Sequence, residues 1–527
     1  MPIRRVPALF TALLTALLAV ALAGCAPISP AGGSGGASQA PVAREDLDPE
    51  ATIRYADAVG PSRFDPHRST NGQDIRYLAP VYDRLVHLSA NGDPIPGLAT
   101  AWEWQDDGLA LRMSLRRGVR FHDGAPFDAA AVKANIEREK TVEGSSVAAD
   151  LASVTSVETP DPGTVVLRLS QRNSMLLGLL SHRAGAMVSP TAFDNPDLDL
   201  APVGTGMYKV TSYRPNDVIV YERNADYWNT DVVGAKRIEL RILPDDVTRM
   251  NALRTGEVDV ALLSGRLAAE ASGLPGVTVH RDTTLTYLVL YLNRARSEFG
   301  DPKVRQALNY AVNRQAIAQG IYFGAAQPTV QPFPPDYYAY NPAYPGDFYP
   351  HDPAKARQLL AEAGLPNGFE FEMLVTALST YTQAGEALQQ MLAEVGIKAN
   401  IRNVEAAQTA DVYYRQQQGD ALVSQWGGRP DPSMTIDLQF TSTGFSNPGR
   451  VTTPRLEELQ RTALDTLDPD KRRDTIHEEV GELVDQAFQV PIVLDESVIA
   501  TNAKIAGFEL LVTGQVDFQK LAVRKQQ

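Results

Sequence analysis

The amino-acid sequence predicts an α/β fold in which a sheet with parallel strands is flanked by helices. The main observation is a strand, helix, strand, helix, strand succession between Phe369 and Trp426, because this order gives parallel strands with helices on the sheet faces. Strand-like and helix-like apolar patterns also alternate along the rest of the chain. With 527 residues, 44% of them hydrophobic and 21% charged, the chain is long enough for two or more cores.

The N-terminus has the pattern of a secretory signal. Arg4 and Arg5 precede an apolar run over residues 8–23, which is shorter than the roughly 20 residues of a membrane-spanning helix. The run leads into the sequence Leu-Ala-Gly-Cys, which resembles the lipobox of bacterial lipoproteins. We therefore predict a signal peptide over residues 1–24 and a lipid attached to Cys25, the only cysteine of the chain.

The segment after this cysteine, residues 25–50, begins with a stretch rich in Gly, Ser, Ala and Pro. Such a stretch cannot bury enough apolar surface to fold, so we predict a flexible, lipid-anchored tether. The formal charge of the whole chain is −14, and the predicted signal peptide contains two arginines and no acid, so the mature chain is more acidic still. Because phosphate binding needs a basic surface, this charge argues against nucleic acid as a partner.

Local signals predict the elements of the folded body in chain order. Asp128 and Asp301 are expected N-caps, Pro302 is expected in a first helical turn, and Gly256 is expected to stop a helix. With the apolar periodicity, these signals predict a strand over residues 109–116, a helix over 129–140, a hairpin of 207–214 and 218–223, and helices over 246–255, from 302 and from 353.

The succession that defines the fold class comes next. It consists of predicted strands over residues 369–376, 397–404 and 420–426, and predicted helices over 381–395 and 409–418. Ligands of such sheets bind in the crevice beyond the carboxyl ends of the strands. Trp426 and the residues that follow it fall in that position.

Several blocks of the sequence resemble the large solute-binding proteins of bacterial peptide, nickel and related importers. The blocks occur in one order along nearly the whole mature chain: Gly97-Leu98-Ala99, Trp102-Glu103, Leu115 to Gly124, Gly204 to Tyr208, Asn224 to Trp228, Gly256 to Asp259 and Val304 to Ala311. The resemblance implies a two-lobed periplasmic-binding-protein fold of type II, in the large cluster with an extra domain, with mixed sheets flanked by helices. Its two lobes would close on a ligand.

The same resemblance implies the domain organisation and the partners. Lobe one is expected in three separate pieces, residues 50–92, 187–280 and 496–527. The extra domain is expected on lobe one and would comprise residues 93–186. Lobe two, residues 281–495, is expected to contain the parallel strands. The expected function is capture of a peptide or similar small polar solute for the permease and ATPase subunits of an ABC importer. The protein would be a monomer outside the cytoplasm, held to the membrane by its lipid, in the periplasm if the cell has an outer membrane.

A loop after the last predicted strand is the main candidate for the ligand site. Trp426 offers a stacking surface, Gly427 lets backbone approach a ligand, and Arg429 and Asp431 supply charges of both signs. The alternative is structural, with Trp426 in a core and Arg429 paired with Asp431. Tyr287, in the strand expected to begin lobe two, is a further candidate.

Other candidates and one departure from the family complete the predicted site. Ser69, Thr70 and Asn71 follow a Phe-Asp-Pro-His sequence and are candidates for ligand contacts. The peptide binders of this family carry an acid at the third position after the tryptophan, where it pairs with the α-amino group of the ligand. Here that position is Arg429, so either Asp431 takes over the amino group or the ligand presents a carboxylate or phosphate to Arg429. We favour the second alternative.

No catalytic residue, metal site or cofactor is predicted. The seven histidines are scattered without zinc spacing, and the block from Gly118 to Gly124 is interpreted as a turn in which His122 and Asp123 bond to backbone groups. Three alternatives stay open: a binder of a non-peptide anion or a chelated metal, a secreted hydrolase, and a sensor or chaperone that binds without transport.

Overall fold

The computed structural model describes residues 43–71, 74–232 and 234–525. The predicted signal peptide, Cys25 and most of the predicted tether lie outside the described residues. The last part of the predicted tether lies against the folded body, because Leu47 pairs with Arg524 and the amide of Asp48 donates to the carbonyl oxygen of Val523 at 2.7 Å. The folded chain therefore begins before residue 50, which shortens the tether that composition alone predicted.

The described strands are short except for two long ones. In chain order they are β1 (Thr52–Asp57), β2 (Val86–Leu88), β3 (Pro94–Pro96), β4 (Ala99–Gln105), β5 (Ala110–Leu115), β6 (Val154–Asp161), β7 (Thr164–Leu169), β8 (Tyr208–Arg214), β9 (Val218–Arg223), β10 (Arg237–Ile242), β11 (Val260–Leu263), β12 (Val277–Leu292), β13 (Ala326–Pro328), β14 (Glu370–Thr376), β15 (Lys398–Val404), β16 (Ala421–Gly427), β17 (Val490–Asn502), β18 (Ile505–Ala506) and β19 (Ala522–Val523).

The described α-helices lie mainly in the second half of the chain. In chain order they are α1 (Ile75–Leu78), α2 (Ala129–Thr141), α3 (Leu176–Leu180), α4 (Asp246–Thr255), α5 (Gly265–Ser272), α6 (Ser297–Gly300), α7 (Pro302–Ala311), α8 (Arg314–Gly320), α9 (Pro353–Glu362), α10 (Ser379–Ala393), α11 (Pro432–Phe440), α12 (Pro454–Asp465) and α13 (Pro469–Asp485). No helix in the described part of the chain is long and apolar enough to span a bilayer.

One large mixed sheet organises the molecule. Its strand order is β15-β14-β16-β12-β17-β11-β1-β10-β9-β8, and β13 also pairs with β17. The long strands β12 and β17 run antiparallel in its centre and connect the β14 to β16 half with the β1, β10 and β11 half. The pairing of β12 with β17 shifts register between Thr283 and Tyr287, so the sheet is interrupted where its two halves meet.

The parallel strands of the second half confirm the predicted succession. β14 pairs in parallel with both β15 and β16, and α10 forms the first crossover. The second predicted helix differs, because residues Ala410–Arg415 form a π-helix. A π-helix has no separate sequence signature, and propensity cannot distinguish it from an α-helix.

A separate sheet, β4-β5-β7-β6, is formed by strands between residues 99 and 169. These strands fall within the segment expected to be the extra domain. Their apolar side chains pack with α2 and α3 in a core of their own, which includes Leu111, Val132 and Leu179. Other clusters lie under each half of the large sheet, so the molecule is built around several cores.

Most of the local sequence signals are confirmed. Asp128 accepts a hydrogen bond from the amide of Ala131 at the start of α2, and Gly256 ends α4 with φ at 75°. The hairpin is formed by β8 and β9. The block from Gly118 to Gly124 is a turn, as predicted, and the His122 ring bonds to the carbonyl oxygen of Gly206 at 3.0 Å.

Candidate ligand-binding site

Trp426 and Tyr287 are directly opposite each other on β16 and β12, and both are buried. The indole Nε1 of Trp426 donates to Oγ1 of Thr435 at 3.1 Å. The Tyr287 hydroxyl donates to Oε1 of Gln439 at 3.0 Å and accepts from Nε2 of Gln489 at 2.7 Å. Both rings belong to one apolar cluster, so they form the floor beneath the candidate loop, and their polar atoms are already bonded inside the protein.

Arg429 lies over this floor. Its guanidinium carbon is 4.9 Å from the centroid of the Trp426 ring, a cation–π distance. Its Nη1 donates to the carbonyl oxygens of Gly427 and Gly428, both at 3.3 Å. Among the described residues no carboxylate comes within the 4.0 Å of an ion pair with Arg429. The structural alternative is therefore right that Trp426 lies in a core and wrong that Arg429 pairs with Asp431.

Asp431 has a structural role. It caps α11 by accepting from the amide of Ser433 at 2.9 Å. Its two carboxylate oxygens also accept from Nη1 and Nη2 of Arg472 at 2.9 and 2.7 Å, in a bidentate pair with Asp431 only 4% exposed. Helix α3 packs against this loop so closely that a Cβ on Gly178 would lie 2.6 Å from that of Asp431. The proposal that Asp431 takes the amino group of a ligand therefore loses its support.

Arg183 and Asp150, which sequence reasoning missed, interact electrostatically with Arg429. Nη1 of Arg183 donates to the carbonyl oxygen of Ser69 and to Oγ of Ser146, the latter at 3.3 Å. Burial lowers the pKa of Arg183, the neighbouring Asp150 opposes this effect, and the charge of Arg429 adds to it. Burial likewise lowers the pKa of Arg429, and Asp150 again opposes the effect. The three charged groups therefore share one partly dehydrated environment.

Ser69, Thr70 and Asn71 are brought to this site unequally. Ser69 is fully buried, and its hydroxyl donates to Oδ2 of Asp74 at 2.6 Å. Its backbone carbonyl, rather than its side chain, contacts Arg183. Thr70 and Asn71 are exposed, so the segment meets the site through the main chain of Ser69.

No sequence signal marks Arg183 and Asp150 as site residues. Arg183 follows the apolar helix α3 and a histidine, a pattern common at helix ends. Asp150 lies in the connection between α2 and β6. His182, beside Arg183, has its pKa held well below the usual range by burial and then by the neighbouring arginines, so it adds no charge at neutral pH.

The two arginines of the cluster make no ion pair within the described chain. Asp150 and Asp74 both act on the charge of Arg183, and Asp150 acts on that of Arg429, but neither acid is within ion-pair distance of either arginine. Nε and Nη2 of Arg429 make no hydrogen bond within the described chain, and Nε of Arg183 is buried without a partner. Unused guanidinium donors in a dehydrated site are suited to a carboxylate or phosphate.

A surface cavity of about 340 Å³ lies at the other end of the same strands. It is lined by residues that begin or precede β14 and β16, among them Phe369, Glu370 and Asp420. Ligands of parallel sheets bind at the carboxyl ends of the strands. The Trp426 loop, which follows the carboxyl end of β16, is therefore a better candidate for the ligand site than this cavity.

Comparison with known proteins identifies the family. Residues 93–447 match the family described as bacterial extracellular solute-binding proteins, family 5. The chain belongs to this family. Among its relatives is the glutathione-binding protein GsiB of Salmonella choleraesuis, which is 31% identical over 468 residues. The matched region spans 85% of this chain and 90% of GsiB. GsiB of Escherichia coli O157:H7 is 30% identical over 462 residues, with the same coverage.

Solved structures agree with this assignment. The periplasmic binding protein DppA of Helicobacter pylori, in complex with the peptide STSA, gives a TM-score of 0.77 at 25% identity and covers 90% of this chain and 98% of its own. HbpA2 of Haemophilus parasuis gives a TM-score of 0.80 at 27% identity, and the match covers 90% of this chain and 100% of HbpA2. The expected fold class, a type II periplasmic-binding-protein fold, is therefore confirmed.

Family membership also gives the general role. A family 5 solute-binding protein captures a solute outside the cytoplasm and delivers it to the permease and ATPase subunits of an ABC importer. The family consists of solute-binding proteins rather than enzymes.

Proposed function

We propose that this protein captures a small peptide-like solute with a free carboxylate, and that Arg429 and Arg183 hold this group. The observation that supports the proposal is that Arg429, which lies over the Trp426 ring, and Arg183 both have unused donors and make no ion pair with a carboxylate of the described residues. A guanidinium binds a carboxylate in bidentate geometry, and partial burial strengthens such a bond. The two arginines come from the predicted extra domain and the predicted lobe two, so one ligand group would link them.

Glutathione is the first solute to test. Relatives at 30–31% identity are glutathione-binding proteins, and a homologous structure holds a peptide. Glutathione is a tripeptide with two free carboxylates, which fits a site with two arginines. In this proposal the ligand stabilises a closed arrangement of the lobes through contacts that the open arrangement lacks, and the importer recognises the closed form.

Two measurements test the proposed function. Mass spectrometry of small molecules that copurify with the signal-free protein should find a peptide or peptide-like acid. Titration calorimetry with reduced glutathione, methionyl-leucine and a nickel–histidine chelate should give binding of a peptide and no heat from the chelate. Tight binding of the chelate alone would favour the metal-chelate alternative, and conversion of a bound solute into products would favour the hydrolase.

We also propose that the protein is a monomeric lipoprotein anchored through Cys25. The support is the lipobox-like sequence at the end of the apolar N-terminal run. In cells fed labelled palmitate, the wild-type protein should carry the label, and the Cys25→Ser variant should not, because the thiol that accepts the lipid is lost. A Ser34→Ala variant, altered in the tether, should be labelled normally. Label in the Cys25→Ser variant would contradict the anchor.

A further inference from the structure

We infer that a basic cavity beside the first described residues binds the phosphate of an anionic membrane lipid. The cavity shares no lining residue with the candidate solute site, so it is a second binding site. The choice of a lipid as its ligand rests on the proposed anchor at Cys25. A lipid phosphate held here would turn one defined face of the protein toward the membrane.

Three parts of the chain form most of this cavity, which has a volume of about 670 Å³. They are residues 44–49, the end of β9 with its connection to β10, and Lys525 near the C-terminus. Volumes of about 300–1,000 Å³ are typical of small-molecule sites. The cavity is therefore large enough for a lipid head group.

Hydrogen bonds between distant parts of the chain fix the walls of the cavity. The amide of Lys525 donates to the carbonyl oxygen of Asp46 at 2.7 Å. Nη1 of Arg223 donates to the carbonyl oxygens of Pro49 and Gly234, both at 3.0 Å. The walls therefore do not depend on a ligand for their positions.

The lining of the cavity is basic, although the whole chain carries a formal charge of −14. It contains no acid and four cationic side chains, those of Arg44, Arg223, Lys236 and Lys525. Glu50, which is not part of the lining, lies 2.8 Å from Lys236 and 3.4 Å from Arg223. This acid pairs with two of the four cations.

Arg44 and Lys525, the other two cations, make no ion pair within the described chain. Nη2 of Arg44 donates to the carbonyl oxygen of Thr230 at 3.0 Å, and Nζ of Lys525 donates to that of Glu45 at 2.6 Å. Glu45 and Asp46 are exposed and do not line the cavity. Backbone carbonyls therefore orient two cations whose charges are left for an anion such as phosphate.

The position of the cavity along the chain favours a membrane lipid over a soluble phosphate. Arg44 comes 19 positions after Cys25, and a chain of that length spans at most about 70 Å. A lipid attached at Cys25 would keep the cavity near a surface with many phosphates, which raises their effective concentration. Charges more than about 8 Å apart are largely screened at physiological ionic strength, so the acidic remainder of the protein opposes this contact little.

Binding to vesicles by protein that carries no lipid tests the inference. The mature chain with Cys25→Ser is sedimented with vesicles of phosphatidylcholine, and with vesicles of equal parts phosphatidylcholine and phosphatidylglycerol. It should bind the mixed vesicles and not the neutral ones, and added salt should weaken this binding. A calorimetric titration with inorganic phosphate should show weaker binding, because only the membrane presents many phosphates at once.

The double variant Arg44→Gln with Lys525→Gln assigns the vesicle binding to the cavity. Each basic residue at an anionic surface contributes about fivefold to the binding constant, so this variant should bind mixed vesicles about 25-fold more weakly. Arg357→Gln with Lys471→Gln is the matched control, because it removes an exposed arginine and an exposed lysine that also make no ion pair within the described residues. The control should bind as the parent protein does, and both double variants should keep its melting temperature.

Three results would overturn the inference. Equal binding to neutral and mixed vesicles, or binding to neither, would exclude a head-group phosphate as the ligand. Equal losses in the two double variants would mean that only the total charge matters. Binding of inorganic phosphate without binding of vesicles would assign the cavity to a soluble anion.

The vesicle assay is independent of the palmitate labelling that tests the anchor. Labelled protein that fails to bind vesicles would keep the anchor and remove this site. Vesicle binding by a protein that takes up no label in cells would keep this site and contradict only the anchor.

Discussion

Arg429 holds its guanidinium in place with backbone carbonyls, and this leaves Nε and Nη2 for a ligand. Its immediate neighbour Gly428 is required there, because a side chain would collide with Leu285 on β12. The loop can therefore lie flat against the sheet and place Arg429 over the Trp426 ring. An arginine at position 429 predicted a contact with an anion, and the residues packed around Arg429 explain why this contact is shielded from water.

Replacement of Arg429 by alanine should weaken solute binding by about 2 to 5 kcal/mol, the usual cost of removing one partner of a buried charged contact. Titration calorimetry with the copurified solute measures this loss. Arg415→Ala, which removes an exposed arginine paired with Asp411, should bind as the wild type does. Wild-type affinity in Arg429→Ala would remove Arg429 from the site.

Asp431 should matter for stability more than for direct ligand contact. Asp431→Ala leaves the buried Arg472 without its acid and removes a helix cap, so the free energy of unfolding should fall by about 3 to 5 kcal/mol. Asp470→Ala breaks the exposed pair with Arg473 and should cost less than about 1 kcal/mol. Chemical denaturation compares the two variants, and similar small losses in both would contradict a structural role.

Among the elements, helix starts and stops were predictable because they depend on neighbours in sequence. Asp301 accepts from the amide of Lys303 at 2.8 Å, and Pro302 occupies the first turn of α7, as expected. Parallel pairing was predictable from the order of elements. The π-helix and the register shift between β12 and β17 were not, because both depend on how distant strands and side chains pack.

The central strand β17 carries a carboxyl group that makes the stability depend on pH. Nε2 of Gln425 donates to Asp495 at 2.9 Å, and the Tyr381 hydroxyl donates to Gln425 at 2.7 Å. Burial raises the pKa of Asp495 to about 7, Gln425 opposes this effect, and the charge of Glu496 adds to it. The folded protein therefore holds this proton more tightly than the unfolded chain does.

The expected consequence is a loss of stability as the pH rises. A group whose pKa is raised on folding contributes stability that is fully present below its unfolded pKa and disappears as the pH passes its folded pKa. Between about pH 4 and about pH 8, the melting temperature of the wild type should therefore fall relative to that of Asp495→Asn. A Glu509→Gln variant controls for loss of one acid. A constant difference across this range would contradict the assignment.

At the scale of the whole molecule, the predicted extra domain and the predicted lobe two touch directly. The backbone amide and hydroxyl of Ser174 donate to the carbonyl oxygens of Leu464 and Ala463 at 2.9 and 2.8 Å. These hydrogen bonds hold the two predicted domains against each other. The arginine pair lies at the same junction.

Solute binding should therefore make the molecule more compact. Saturating copurified solute should reduce the radius of gyration in X-ray scattering and raise the melting temperature, because it binds only the folded state. Arg429→Ala at the same solute concentration should show smaller changes in both quantities. A solute that binds without altering either quantity would argue against closure.

The sequence by itself determined the fold class, the family, most helix boundaries and the residue types at the Trp426 loop. These features depend on local hydrogen bonds, on apolar periodicity and on blocks of residues read in order. Only the tertiary structure decided the partners of the charged groups. Asp431 pairs with Arg472, 41 positions away, and Arg429 interacts electrostatically with Arg183 and Asp150 of another predicted domain. Such pairings have no sequence period, because they are set by how separate elements pack and which charges this packing dehydrates.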